Sequence, residues 1–223
     1  SLEKLSIDYN NIGADGAIAL APALERMPQM RELSLRDNDI GVEGAKALAA
    51  SLRARTSLQK LDIGNNNIGA QGAIVLAPAL ERMPRMQELS LRDNDIGVNG
   101  ARAIAPSLRV MTSLKKLWIH RNNIGAEGAI ALAPVLERMP WMQELSLDGN
   151  DIGLDGASAL GPSLERMTRL LKLDLSDKDI GAEGAIPLAP ALERMPQMQE
   201  LYLEGNDIGV DGAKALAPSL RVM

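Results

Sequence analysis

Two patterns of apolar residues alternate along the chain, and each is typical of a different secondary structure. Leu5 and Ile7 are separated by one polar residue, which is the spacing of a β-strand with one buried face. Ala17, Leu20 and Leu24 follow at intervals of three and four residues, which is the spacing of a helix with one apolar stripe. The chain therefore begins with a predicted short strand, a turn and a helix of about three turns.

This unit recurs every 28 residues without insertion or deletion, so the chain holds seven full units and an eighth that is one residue shorter. We number the positions within a unit from 1. Position 5 is always Leu, position 12 always Ile, and positions 13 and 16 always Gly. A second, longer period of 56 residues is also present, because odd-numbered units differ from even-numbered units. The units begin at Ser1, Gln29, Ser57, Arg85, Ser113, Trp141, Arg169 and Gln197.

Strand-helix units repeated in one phase predict an α/β solenoid, with a parallel sheet on the inner, concave side and helices on the outer side. We expect residues 1–223 to form one domain without capping segments, because the first and last units look like interior ones. The residue at position 15, such as Asp15, is expected to cap the helix start or to complement its positive end.

Proline falls inside the predicted helix in seven of the eight units, at position 22. A proline there removes a backbone hydrogen bond, and the freed carbonyl then needs water. We therefore expect these prolines on the solvent side of the helices, where they also bend the helix around the outer face.

The motif L-x-x-L-x-L-x-x-N-x-I-G-x-x-G-A-x-x-L-A-x-x-L resembles the ribonuclease-inhibitor-like subclass of leucine-rich repeats. The resemblance covers all 223 residues, and it implies a horseshoe that binds a protein partner. Similar arrays form the sensor ends of nucleotide-binding immune receptors. In the first unit it is carried by Leu5, Ile7, Asn10, Ile12, Gly13, Gly16, Ala17, Leu20 and Leu24.

The chain departs from that subclass because it has no cysteine and no capping segments. Three interpretations stay open. The chain is a piece of a larger immune-receptor-like protein, or a designed or consensus-like array with no natural ligand, or a homodimer formed through its uncapped ends.

Composition narrows the function classes further. The net charge of −5 is small and well mixed, and no long basic stripe is visible in the sequence, so we expect no nucleic-acid partner. The absence of cysteine excludes disulfides and thiol chemistry. No run of about 18 apolar residues is present, so no membrane span is expected. No signal-peptide pattern and no glycosylation sequon occur, and we expect a cytoplasmic protein without a cofactor.

Several repeated polar positions predict structure rather than chemistry. Position 10 is Asn in every unit except the seventh, where Lys178 interrupts it, and we expect these amides to bond turn backbone along the stack. The paired glycines are attributed to tight turns rather than to a phosphate site. Asp37, Asn38 and Asp39 resemble a calcium-loop fragment but lack its closing glutamate.

Position 4 alternates between Lys and Glu without exception, from Lys4 to Glu200. Neighbouring strands of a sheet lie roughly 4.8 Å apart. These side chains therefore predict a ladder of opposite charges that fixes the register and neutralises part of the concave face.

The remaining concave positions, 6 and 8, vary, and the candidate partner-binding residues come from them and from the turn that follows. Trp118, His120 and Arg121 stand together in the fifth unit, with Arg92 and Asp148 on either side. Tyr202 lies three strands away, roughly 14 Å at sheet spacing. Trp, Tyr and Arg are typical interface anchors. We expect no enzyme, because a single histidine near Ser146 comes without a nucleophile elbow or an oxyanion motif.

Overall fold

The computed structural model describes residues 2–177 and 179–221, and in it every unit contributes one three-residue strand. The strands form a single parallel sheet in chain order, as predicted. They are β1 (Lys4–Ser6), β2 (Glu32–Ser34), β3 (Lys60–Asp62), β4 (Glu88–Ser90), β5 (Lys116–Trp118), β6 (Glu144–Ser146), β7 (Lys172–Asp174) and β8 (Glu200–Tyr202).

The helices return along the other side of the sheet, so the predicted solenoid is confirmed. They are α1 (Gly13–Glu25), α2 (Gly41–Leu52), α3 (Gly69–Leu80), α4 (Gly97–Leu108), α5 (Gly125–Leu136), α6 (Gly153–Leu164), α7 (Gly181–Ala185), α8 (Ala189–Glu193) and α9 (Gly209–Leu220). Helices pack roughly 8–10 Å apart, whereas strands lie about 4.8 Å apart, so the strand side is the concave one.

Every helix but α8 begins at the first glycine of its unit, three residues earlier than a cap at position 15 requires. The residue before it is Ile in every helix but α8, and none of the helices has a side-chain cap. The expectation that residues such as Asp15 cap the helix is therefore wrong. Asp15 lies inside the first turn, where its charge complements the helix dipole.

The core lies between the sheet and the helices and is aliphatic. The parallel register places the central leucines of neighbouring strands side by side, as with Leu61 and Leu89. Both are buried. The second glycine of each unit lets neighbouring helices approach closely, because a Cβ on Gly100 would lie 2.9 Å from the Cβ of Ala73. The first glycine instead adopts a left-handed backbone, as at Gly97 with φ +59°.

The asparagines at position 10 form the predicted ladder of hydrogen bonds inside the turns. The Asn66 side-chain N–H groups donate to three backbone carbonyls at 2.9–3.0 Å, those of Leu35, Ile63 and Gly64. Its side-chain oxygen accepts two backbone N–H groups of the preceding unit, at 3.1 and 3.4 Å. One amide thus satisfies five buried backbone groups. The predicted interruption at Lys178 lies outside the described residues.

The helix prolines lie on the solvent side, as expected, and all seven are exposed. A single proline leaves the helix continuous in six units. The seventh unit carries a second proline, Pro187, and there the helix separates into α7 and α8. A Cβ added to Gly161 of the sixth unit would lie 2.6 Å from the Pro187 carbonyl oxygen. Seven units have Ala at that position, so Gly161 makes room for the displaced backbone of its neighbour.

The second unit contains a buried charge that the apolar pattern does not predict. Arg55 occupies a position that is Met in the other units, and it is 4% exposed. Its Nη2 donates to the carbonyl oxygen of Glu25 at the end of α1. The guanidinium thereby serves as a cap for the helix of the preceding unit.

Candidate functional site

The concave face contains a hollow of about 400 Å³, here called the central hollow, which extends from the second to the seventh unit. Its side chains come from positions 6 and 8 of successive units, with one lysine from position 4. They lie at the ends of strands or just after them, because the alternation of the strand carries these positions away from the core. The lining residues are Arg36, Asp62, Ser90, Arg92, Trp118, His120, Ser146, Asp148, Lys172 and Asp174.

Four of the six candidate residues lie together in this hollow. Trp118 ends β5, His120 follows two residues later, and Arg92 and Asp148 occupy the same position as His120 in the two neighbouring units. All four are partly buried. The Lys116 ammonium lies 5.8 Å from the centre of the Trp118 ring, which places a cation over one face of the indole.

Arg121 lies outside the central hollow, although it directly follows His120. Its backbone is left-handed, with φ +51°, so the strand alternation has ended and the side chain stands at the loop edge. The side chain is 69% exposed, and its Nη1 lies 3.7 Å from Asp93 Oδ1. Arg121 therefore lies at the rim of the hollow rather than on its floor.

Tyr202 is also separate from the hollow and belongs to a local cluster in the last units. Its hydroxyl donates to Glu200 Oε2 at 3.0 Å, and Lys172 Nζ lies 5.0 Å from its ring centre. The hydrogen bond to Glu200 raises the pKa of Tyr202. Tyr202 therefore adds a second aromatic ring to the concave face, separate from that of Trp118.

His120 is the titratable centre of the hollow. Its Nδ1 lies 3.0 Å from Ser146 Oγ and 3.7 Å from Asp148 Oδ1, while Nε2 lies 3.8 Å from Asp93 Oδ2. Burial lowers the pKa of His120, and the two carboxylates act in the opposite direction without reversing it.

The contacts of Ser146 do not form a nucleophile relay. The hydroxyl of Ser146 donates to Asp148 Oδ1 at 2.5 Å, and both groups lie on the Nδ1 side of His120. A relay needs a carboxylate hydrogen-bonded to the opposite nitrogen, so that the imidazole can take the hydroxyl proton. Asp93 lies on that side, but its Oδ2 is 3.8 Å from Nε2, which is beyond hydrogen-bonding distance. The cluster instead fixes the orientation of the His120 ring.

The predicted Lys/Glu ladder is present, and it is paired within the 56-residue module. Each lysine pairs with the glutamate of the following unit, as Lys116 Nζ does with Glu144 Oε1 at 2.7 Å. The other pairs are Lys4 with Glu32, Lys60 with Glu88, and Lys172 with Glu200, at 2.8–3.2 Å. The hydrogen bond to Glu144 raises the pKa of Lys116. The charges at position 4 therefore satisfy one another.

Sequence reasoning missed half of the hollow. Arg36, Asp62, Ser90, Lys172 and Asp174 line it, but they resemble the ordinary polar residues of their columns. Their position within the unit could have identified most of them, because every residue at positions 6 and 8 of adjacent units faces the same side of the sheet.

A second hollow of about 360 Å³, here called the N-terminal hollow, adjoins the first and is lined by side chains of units one to five. Asp62, Ser90 and Trp118 border both hollows. The two hollows therefore form one continuous depression whose middle lies at Ser90 and Trp118.

Metal-binding clusters and membrane-spanning helices are both absent from residues 2–177 and 179–221. No three His, Asp or Glu side chains come together there as metal ligands. No helix in this range is long and apolar enough to cross a membrane.

Comparison with known sequences identifies the family. The profile described as "Leucine Rich repeat" matches eight segments that recur with the period of the units. The chain therefore belongs to the leucine-rich-repeat family, whose members are generally non-catalytic scaffolds that bind proteins. A search of curated proteins finds no match. The matched residues are 1–21, 27–49, 55–77, 84–105, 110–133, 138–161, 167–189 and 195–217.

Among solved structures, actin-binding site 2 of leiomodin-1 supports the fold, with a TM-score of 0.50 and 19% identity, over 59% of this chain and 77% of that chain. An internalin from Listeria monocytogenes is similar with a TM-score of 0.34 and 14% identity, over 97% of this chain and 85% of that one. The ectodomain of the receptor kinase GASSHO1/SCHENGEN3 from Arabidopsis thaliana is similar with a TM-score of 0.29 and 14% identity, over 92% of this chain and 36% of that chain.

Proposed function

We propose that this chain is a non-catalytic scaffold that binds a protein partner on its concave face, with Trp118 as the anchor. The observation that carries the proposal is the grouping of Trp118, Arg92, His120 and Asp148 in one hollow. A partly buried aromatic ring surrounded by charged groups is typical of interface hot spots. Arg121 and Tyr202 extend the same surface at the rim and toward the last unit.

We further infer that the chain belongs to the ribonuclease-inhibitor-like subclass. The 28-residue period and the helices on the outer side of the units support this assignment. An experimental structure with extended segments in place of those helices would contradict it.

The proposal is tested by cross-linking from two faces of the fifth unit. A photoreactive phenylalanine derivative replaces Trp118 on the concave side in one variant and Ile130 in the other. Ile130 lies on α5 and is 47% exposed, so it is a matched position on the convex side. We expect protein adducts from position 118 and none above background from position 130.

The partner captured in this way is then purified and its affinity measured. Trp118→Ala is expected to weaken binding by about 2 kcal/mol, because truncating a central aromatic anchor removes its contacts. Ile130→Ala serves as the control and leaves the affinity unchanged. Equal affinity of both variants for every captured partner would exclude the concave face as the binding surface.

A second candidate is a consensus-like repeat array that has no ligand. The observation in its favour is that much of the polar surface is satisfied internally, as in the four Lys/Glu pairs. The absence of adducts from both cross-linking positions favours this candidate.

A further inference from the structure

Ser90 carries the buried side-chain hydroxyl that lacks a hydrogen-bond partner among the residues the structure describes. It lies on the concave side of β4 and is 3% exposed. The equivalent Ser34 donates to Asp8 of the preceding unit at 2.6 Å, and Ser146 donates to Asp148 of its own unit at 2.5 Å. In the fourth unit both acceptor positions have changed, to Gly64 and Arg92.

Arg92 is the second polar group at this place that lacks a bonding partner. Its guanidinium has no hydrogen bond and no ion pair within the described residues, whereas the other cations of the central hollow are engaged. Arg36 lies 4.6 Å from the Tyr9 ring centre and is ion-paired with Asp37 at 3.4 Å, although its Nε has no hydrogen bond. Lys172 Nζ lies 2.8 Å from Glu200. The Arg92 side chain passes over Gly64, where a Cβ would lie 2.7 Å from its Cγ. The glycine therefore permits the arginine to lie flat across the floor.

The two groups lie where the central and N-terminal hollows meet, because Ser90 borders both. Trp118 pairs with Ser90 across the sheet and forms the adjacent wall. A hydroxyl donor, a free guanidinium and an indole face thus lie side by side. The Ser90 oxygen is screened from solvent, so an occupant reaches it only after a neighbouring side chain changes rotamer.

We propose that this place, the junction of the two hollows, binds the carboxylate of an acidic side chain in an extended segment of the partner protein. The inference rests on the proposed function and adds the chemistry of the partner. A carboxylate accepts two hydrogen bonds from the planar guanidinium of Arg92 and a third from the hydroxyl of Ser90.

Two features select this occupant over other anions. Asp62 and Asp148 also line the central hollow and oppose the greater charge of a phosphate group. The depression continues on both sides of Ser90, so the bound chain extends in both directions. An internal Asp or Glu side chain meets that condition, whereas a chain-terminal carboxylate does not.

The test uses the whole chain labelled with ¹⁵N and three blocked peptides as probes. The first is acetyl-Ala-Leu-Glu-Leu-Ala-amide and the second has Gln in place of Glu. The third is blocked only at its amino terminus, and it has no acidic side chain but a free carboxyl terminus. The two tryptophans give two indole N–H signals, so Trp118 reports on the site and Trp141 serves as an internal reference. We expect the Glu peptide to shift the Trp118 signal alone, and to bind about tenfold more tightly than the Gln peptide.

Three variants locate the preference. Arg92→Gln and Ser90→Ala are expected to reduce the preference for Glu over Gln. Arg85→Gln removes an exposed arginine of the same unit outside both hollows, and it retains the preference. A peptide preference that survives Arg92→Gln would overturn the assignment.

The remaining outcomes separate this inference from the proposed function. Equal binding of the Glu and Gln peptides, or no shift of Trp118 at millimolar peptide, overturns the carboxylate site. Tighter binding of the free-carboxyl peptide overturns the choice of an internal side chain. The proposed function fails independently, when Trp118→Ala leaves the affinity for the cross-linked partner unchanged.

Discussion

The turn interior at position 10 and the concave surface at position 8 lie two residues apart, yet they follow opposite rules. Position 10 is Asn in seven of eight units, and the side chains of Asn38, Asn66 and Asn122 are 0% exposed. Position 8 is occupied by Asp, Arg, Gly, His, Ser and Glu in different units. A side chain that must satisfy five backbone groups is fixed in identity. A side chain on the open sheet is restricted only by its neighbours.

The largest expected effect comes from breaking the turn interior. Asn66→Ala leaves the buried N–H groups of Asn38 and Ile40 without partners and removes one of two donors from each of three carbonyls. We expect it to lower the free energy of unfolding by about 4 kcal/mol. Asn67→Ala is the matched control, because Asn67 is exposed and its amide bonds only Asp39, at 2.7 Å. Asn67 has a left-handed backbone, which Ala adopts at a cost of about 1 kcal/mol, and we expect no further loss.

Urea unfolding of the two variants measures the difference. Similar losses for Asn66→Ala and Asn67→Ala would show that the ladder is not what fixes position 10.

A smaller effect concerns pH and the concave surface. Burial holds the pKa of His120 below its ordinary value of 6.5, so the unfolded chain takes up this proton more readily than the folded chain. The stability that neutral His120 contributes is therefore fully present above pH 6.5, and it is lost as the pH falls from that value through the lower pKa of the folded protein. We expect the folded protein to lose stability on acidification relative to His120→Gln.

Thermal unfolding of both proteins above and below pH 6.5 measures this difference, and the variant corrects for all other titrating groups. A relative gain in stability for the unsubstituted protein at low pH would mean that Asp148 and Asp93 outweigh burial, and that the pKa of His120 is raised.

The smallest effect is expected at the charge ladder. The pair of Lys116 and Glu144 is partly exposed, so a double-mutant cycle with both residues changed to Ala should give a coupling of about 0.5 kcal/mol. The coupling should decrease in high salt. A coupling as large as the cost of Asn66→Ala would remove the distinction between the two regions.

The sequence predicted the regular features well because each rests on a short-range rule. The alternation at Leu5 and Ile7 and the three-four spacing of the helix specify the elements, and one phase for every unit specifies the parallel sheet. The asparagine ladder followed from the need to satisfy turn backbone. The Lys/Glu ladder followed from strand register.

The irregular features could not be predicted, because they depend on backbone direction and on neighbours one unit away. Arg121 was expected beside Trp118 and His120, but its left-handed backbone turns it to the loop edge. Ser90 resembles Ser34 in sequence, and each is followed two residues later by an arginine, but Gly64 stands where Ser34 has its acceptor Asp8. The position of a residue within its unit identifies the surface on which it lies. Its contacts with neighbouring units identify the site within that surface.

The fit between Gly161 and the Pro187 carbonyl limits how far the array can be treated as interchangeable modules. Seven units carry Ala where the sixth carries Gly, and the seventh is the unit whose helix is divided. A shuffled array that placed the seventh unit after any other would set an alanine methyl against that carbonyl. The packing therefore requires that the seventh unit follow the sixth, and the two units must be kept together in any rearrangement of the repeats.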